Sequence, residues 1–142
     1  MGGRGAVQVA GYSGRSLVAK LGINPGARIA ILNPPRGYER TLGPLPRPVS
    51  RKRSLSGPLD FIQFFTSRRA ELERRFAQLA SALAPAGMLW ISWPKQASGV
   101  PTDLTEQVIR AIGLAHGLVD VKVCAVDAVW SGLKLVRRLK DR

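Results

Sequence analysis

Three short apolar runs constrain this chain more than any other feature. Arg28-Ile29-Ala30-Ile31-Leu32-Asn33, Leu59-Asp60-Phe61-Ile62-Gln63-Phe64-Phe65 and Met88-Leu89-Trp90-Ile91-Ser92-Trp93 are close to continuously apolar. A strand with one wet face alternates apolar and polar residues, whereas an unbroken run marks a strand covered on both faces. Strands of that kind belong to parallel sheets, whose crossovers lay helices on either side.

The segments between the runs agree. Ser67 to Ala84 carries Leu72, Phe76, Leu79 and Leu83 at helical steps, with Pro85 and Gly87 as the expected stop. Asp103-Leu104-Thr105-Glu106 has the spacing of a capping box with Asp103 as cap, and Leu104, Val108, Ala111, Ile112 and Ala115 are expected to face inward before Gly117 ends the helix. Ser16 to Leu21 reads as a short helix stopped by Gly22, and Gly37 to Leu42 as another. Val49 to Leu55 is polar and flanked by prolines, which places any strand there at a sheet edge. Leu118 to Asp127 and Gly132 to Arg138 are strand-like and lie too close in sequence for a parallel crossover, so they form an antiparallel hairpin. The expected sheet has the Arg28 strand between those of Val49 and Leu59, and the Gly132 strand inserted between those of Met88 and Leu118. Met1 to Gly11 is glycine-rich and aperiodic, the pattern of a loose tail, which leaves residues 12–142 as one α/β domain.

Charge is the least ordinary property. Lys+Arg number 22 against 9 Asp+Glu, a formal +13. Such an excess points to a polyanionic partner, with Arg51-Lys52-Arg53 and Arg137, Arg138, Lys140 and Arg142 as the least compensated clusters. No apolar run is long enough to span a membrane, and the first residues lack the apolar stretch of a secretory signal. The single cysteine, Cys124, excludes an internal disulfide and fits a reducing cytoplasm, where it is expected as a buried, inert thiol.

The helix ending Leu83-Ala84-Pro85-Ala86-Gly87, followed by strand, helix and terminal hairpin, resembles the second half of a Rossmann-like, methyltransferase-like fold. Tyr12-Ser13-Gly14, Ile31-Leu32-Asn33-Pro34-Pro35-Arg36-Gly37-Tyr38, Leu89-Trp90-Ile91-Ser92-Trp93-Pro94-Lys95, Ser98-Gly99-Val100-Pro101-Thr102-Asp103-Leu104-Thr105-Glu106 and Val121-Lys122-Val123-Cys124-Ala125-Val126-Asp127 with Trp130-Ser131-Gly132-Leu133-Lys134 resemble the bacterial family catalogued as domain of unknown function 3052. That resemblance implies a three-layer, mostly parallel α/β sheet with a C-terminal hairpin, and it implies no activity or catalytic residue.

Fold alone does not bring function. Where cofactor-binding members of such folds place a glycine turn after the first strand, this chain has Asn33-Pro34-Pro35-Arg36-Gly37, and prolines remove amide donors. Where an acid would bind ribose hydroxyls stands Arg51-Lys52-Arg53. Neither G-x-G-x-x-G nor a phosphate loop occurs, so no S-adenosylmethionine, dinucleotide or other cofactor is expected. The one histidine, His116, sits at a helix end, where a structural role suffices. No clustered Cys, His or carboxylates suggest a metal.

Two readings follow. One is a binding or regulatory module touching nucleic acid or another polyanion through the basic clusters. The other places a small anionic ligand, with or without catalysis, at the carboxyl ends of the parallel strands. Its candidate residues are Lys95, Ser98, Thr102 and Asp103 on the loop before the second long helix, joined by Trp130 and Ser131 from the hairpin turn. A single contiguous basic face would favour the first reading and a pocket at the strand ends the second.

Overall fold

The computed structural model describes residues 15–142, so the tail expected over 1–11 lies outside the described residues. Six strands form one sheet in the order β2-β1-β3-β4-β6-β5: β1 Arg28–Leu32, β2 Ser50–Lys52, β3 Leu59–Phe65, β4 Leu83–Pro94, β5 Leu118–Ala125 and β6 Trp130–Arg137. β2, β1, β3 and β4 run parallel, and β6 lies antiparallel between β4 and β5. This is the strand order expected from the sequence, with the polar β2 at one edge.

Helices α1 (Leu17–Leu21) and α2 (Tyr38–Leu42) cover one face, and α3 (Arg69–Ser81) and α4 (Glu106–Ala115) the other. Each layer closes its own core. Leu21, Tyr38, Phe61, Phe65 and Trp90 meet on the first face, and Phe64, Leu72, Phe76, Leu89, Ile109 and Leu133 on the second. Trp90, with no exposed surface, donates its indole N–H to the Leu21 carbonyl at 2.8 Å, so the largest core side chain also anchors α1. Gly132 makes room for it: a Cβ there would stand 3.0 Å from the Trp90 ring.

Three boundaries differ from expectation. The first long helix stops at Ser81 and not at Ala84, because Leu83 pairs with Leu59 of β3 and the Leu59 amide donates to the Ala82 carbonyl. Pro85 and Gly87 therefore interrupt a strand, where the register shifts between Leu59 and Phe61. Helix α4 is capped by Thr105, whose hydroxyl accepts from the Val108 amide, and not by Asp103. Leu104, Val108 and Ile112 pack inward as expected, joined by Ile109 and Gly113, while Ala111 and Ala115 are exposed, because docking of the helix on Ile109 and Ile112 turns them to solvent. At the hairpin turn the first strand stops at Ala125, two residues short of the expected Asp127, whereas the second begins at Trp130, two residues before the expected Gly132, and the Asp127 carboxylate accepts from the Val129 and Trp130 amides and closes the turn itself.

At the amino end of the sheet, Asp60 accepts from the Arg28 amide at 2.8 Å, from Nε at 3.1 Å and from Nη2 at 3.2 Å. Those side-chain bonds hold its carboxyl below the usual range, and guanidinium partners act likewise on Asp120 and Glu39. A carboxylate with a lowered folded-state pKa stabilises above its unfolded value, about 4, and loses that contribution as pH falls through the folded one. Thermal midpoints should therefore drop on acidification below about pH 5, and the drop should be shallower in Asp60→Asn, as differential scanning calorimetry across pH 3–6 would measure.

Candidate functional site

Because four strands are parallel, their carboxyl ends share one rim, and the connections 33–37, 66–68 and 95–105 emerge there. Beneath the last of them lies a cleft of about 500 Å³, floored by Trp93 and Leu104 and walled by Gln96, Val100, Thr105 and Gln107. Apolar and polar groups are mixed in its walls. The first-turn amides of α4 have no carbonyl partner within their own helix, and the positive end of the helix dipole lies at this wall. Glu106 also lines the cleft, and its carboxylate accepts from Arg110, which bonds Asp120 at 2.9 Å through Nε.

Of the residues singled out from sequence, Thr102 alone lines this cleft, Trp130 packs on the other face of the sheet, and most of the loop's polar atoms hold the loop. Thr102 lines the cleft, but its hydroxyl donates to the Ser67 carbonyl at 2.7 Å and accepts from the Leu104 amide. Asp103 accepts from the Arg69 amide at 2.7 Å, so it caps α3 from across the rim. Ser98 donates to the Lys95 carbonyl and accepts from the Val100 amide. The Lys95 amide donates to the Val129 carbonyl, joining this loop to the hairpin turn. Trp130 packs edge-on against Phe65 with centroids 5.2 Å apart, and Ser131 stands opposite Trp93 on the neighbouring strand. Thr105 and Gln107 were not anticipated, because their roles depend on where α4 begins.

A second group lies inside the sheet. Tyr38 Oη donates to Gln63 Oε1 at 2.6 Å, and Gln63 Nε2 donates to Ser92 Oγ at 3.1 Å, all three side chains being buried. Burial pushes the Tyr38 phenol well above its usual range. The signal was present in the sequence, since Gln63 and Ser92 stand as uncharged polar residues in the middle of two mainly apolar runs.

The basic clusters are dispersed. Arg51 on β2 and Arg137 on β6 are four strand spacings apart, about 19 Å. Nor do these clusters lack acids, as the sequence led one to expect. Arg51 makes a bidentate pair with Glu39 at 2.6 and 2.8 Å, and Arg138 lies 3.9 Å from Asp141. Arg137 donates to the carbonyls of Ala80, Leu83 and Ala84, clamping the end of α3 to β4. In fact all 9 acids lie among the described residues and each has a partner. Beyond those already named, Glu71 accepts from Thr66 and Glu73 from Arg69.

Other chemistry is sparse. His116 Nδ1 lies 3.0 Å from the Ile112 carbonyl and its ring rests on Phe76, a packing role. Cys124 is only partly buried, which corrects the expectation of full burial, and desolvation pushes its thiol up. Among the described residues no group of three or more His, Cys, Asp or Glu is placed to hold a metal, and no helix is long and apolar enough to cross a membrane.

Neither a family model nor a curated protein sequence matches this chain. Solved structures do. The magnesium protoporphyrin IX methyltransferase from Synechocystis PCC 6803 with bound SAM superposes with a TM-score of 0.57 at 15% identity, covering 86% of this chain and 74% of that one. A SAM-dependent methyltransferase from Aquifex aeolicus gives 0.57 at 13% identity, over 84% of this chain and 86% of that one. The fold is therefore the Rossmann-like fold of SAM-dependent methyltransferases, as the sequence pattern implied.

That fold raises S-adenosylmethionine as a ligand, and the residues at the ends of β1 and β2 do not fit it. Pro34 and Pro35 offer no amide donors after β1. The hollow at that point, about 430 Å³, is lined by Ile31, Arg51, Lys52 and Arg53, and cationic side chains only donate, whereas ribose hydroxyls call for an acceptor. Glu39, the carboxylate that reaches this end of β2, is taken by both Nη atoms of Arg51.

If the loop residues chiefly hold the rim, removing Asp103 should destabilise the fold. Asp103→Ala should cost about 1 kcal/mol, the worth of a helix cap, whereas Lys95→Ala should stay within about 0.5 kcal/mol of wild type in urea titrations of unchanged slope.

Proposed function

We propose that this domain binds a small ligand in the rim cleft at Trp93, with an acidic or hydrogen-bonding end directed to the amino terminus of α4. The observation that carries this reading is the cleft itself. Its volume of about 500 Å³ lies within the range of small-molecule sites, and it opens where open α/β sheets bind ligands. Trp93, Val100 and Leu104 provide apolar contact, while Gln96, Thr105 and Gln107 provide directional hydrogen bonds. Glu106 on the wall disfavours a multiply charged anion, so the expected ligand pairs an apolar ring with one carboxylate or a set of hydroxyls. No residue lining the cleft is placed as a nucleophile with an attendant base, and the reading is one of binding. The sequence resemblance to the bacterial family of unknown function 3052 is proposed as true membership. A cytoplasmic location is proposed with it, resting on the lone cysteine.

Methyl transfer is the second reading, supported by the fold shared with enzymes that bind SAM. The misfit at β1 and β2 weighs against it.

One set of melting curves tests both. Aromatic carboxylates and hydroxylated rings should include members that raise the melting temperature, and Val100→Trp, which fills the cleft from an exposed position, should abolish the rise while leaving the free protein's stability within about 0.5 kcal/mol. S-adenosylmethionine should produce no rise. A rise that survives Val100→Trp would move the site elsewhere, and a saturable rise with S-adenosylmethionine would restore methyl transfer.

A further inference from the structure

On the face of the β5–β6 hairpin opposite α4, the sheet breaks one of its own rules. Lys122 and Lys134 are direct cross-strand partners. Like charges placed opposite one another on adjacent strands are destabilising, and they persist where something compensates. No carboxylate among the described residues does. Each of the 9 acids is bonded to another group, and residues 1–14 contain none. Lys122 Nζ donates to the Lys20 carbonyl at 3.0 Å, which draws α1 and its own lysine toward the pair. Lys134 is partly buried, and the C-terminal turn sets Arg142 close enough to act on it, with Arg142 Nε donating to the Arg137 carbonyl. Four cations from four separate segments therefore converge on one patch.

The surroundings make the absence of a counter-charge costly. Trp90 is the next cross-strand neighbour of Lys134, so its stem runs over the aromatic core. Desolvation first, then Lys122 and Arg142, lower its pKa. A lysine that is only covering apolar surface gains by having its ammonium in water and apart from other cations. Here backbone register sets the two lysine stems side by side on one face, and Lys122 and Arg142 lie close enough to act on the Lys134 ammonium.

We propose that Lys122 and Lys134, with Lys20 and Arg142, form a binding site for the phosphate groups of a small phosphorylated ligand. Ammonium groups bind phosphate as point charges and need no planar match, and two or more phosphate oxygens would meet both lysines of the pair. A compact cross-strand pair suits a small dianion better than a polymer backbone, whose phosphates are spread along an extended track. The site lies on the opposite face of the sheet from the Trp93 cleft and stands independently of the reading given for it.

The probe is inorganic pyrophosphate, compared with sodium chloride at equal ionic strength. Wild-type protein should melt at least about 2 °C higher at saturating pyrophosphate. Lys134→Met should melt higher than wild type without the anion, because it removes both the desolvation and the repulsion, and should lose the pyrophosphate-dependent rise. A purely structural lysine would show the reverse, a lower melting point with the anion response intact, and that result overturns the proposal. Val100→Trp should keep the pyrophosphate response, which separates this site from the cleft. As a measurement that needs no variant to fold, lysine side-chain NMR of wild-type protein should show Lys122 and Lys134 shifting on pyrophosphate addition ahead of Lys52 and Lys95. Uniform shifts of all lysines, no shifts, or shifts with a duplex oligonucleotide but not with pyrophosphate would each overturn it.

Discussion

A single buried amide ties helix α2 to the register of β3 and β4. Gln63 has no exposed surface, and an unsatisfied amide in such a place costs on the order of 1–3 kcal/mol. Its oxygen is met by Tyr38 from α2 and its nitrogen by Ser92 from β4, so it is satisfied only when three elements far apart in sequence are in register. Slipping β3 by one residue would turn Gln63 to the opposite face, against Leu72 and Phe76, where no partner waits. The polar network thus specifies the alignment of strands that hydrophobic burial alone would leave degenerate. It also pins α2 over the carboxyl ends of β1 and β3, next to the rim where the connecting loops collect.

The rim inherits its rigidity from that alignment. Asp103 and Thr102 reach back to α3, and the Lys95 amide reaches to the hairpin turn, so loop 95–105 is tied on both sides. A loop held in this way presents a preformed cleft and does not have to be ordered when a ligand arrives, which lowers the cost of binding. The same ties explain why its polar side chains look functional in sequence and prove to be mostly structural. A Ser, Thr or Asp in a rim loop satisfies backbone amides first, and only what is left over can meet a ligand.

The fold was almost wholly legible in the sequence, because near-continuous apolar runs and a short hairpin connection leave little freedom in a sheet. The misreadings were local and had specific causes. Leu83 and Ala84 continue a helical pattern equally well as they begin a strand, and pairing with β3 decides between them. Asp103 and Thr105 are both good caps, and Asp103 is taken by the Arg69 amide across the rim, a contact with no sequence signature. The cleft walls at Thr105 and Gln107 were hidden by that same two-residue ambiguity. The lysine pair was invisible for a deeper reason. Cross-strand register depends on a bulge between Asp120 and Lys122, and without it a different residue would face Lys134.

The basic excess separates into two populations once these contacts are known. Several arginines are structural: Arg28, Arg51 and Arg110 hold carboxylates, and Arg137 holds three carbonyls. Guanidinium suits this work, since its fixed fork of donors satisfies several acceptors at once. Arginines so engaged are fixed by the fold, but the nine acids offset only part of the 22 cations and the net +13 remains. Lysine carries its charge on a flexible stem with no such geometry, and Lys20, Lys122 and Lys134 have no carboxylate among the described residues to neutralise them. Net charge is therefore a poor guide to where this protein meets an anion. The better guide is the place where like charges are forced together by backbone register and the nine acids, all of them spent elsewhere, cannot relieve them.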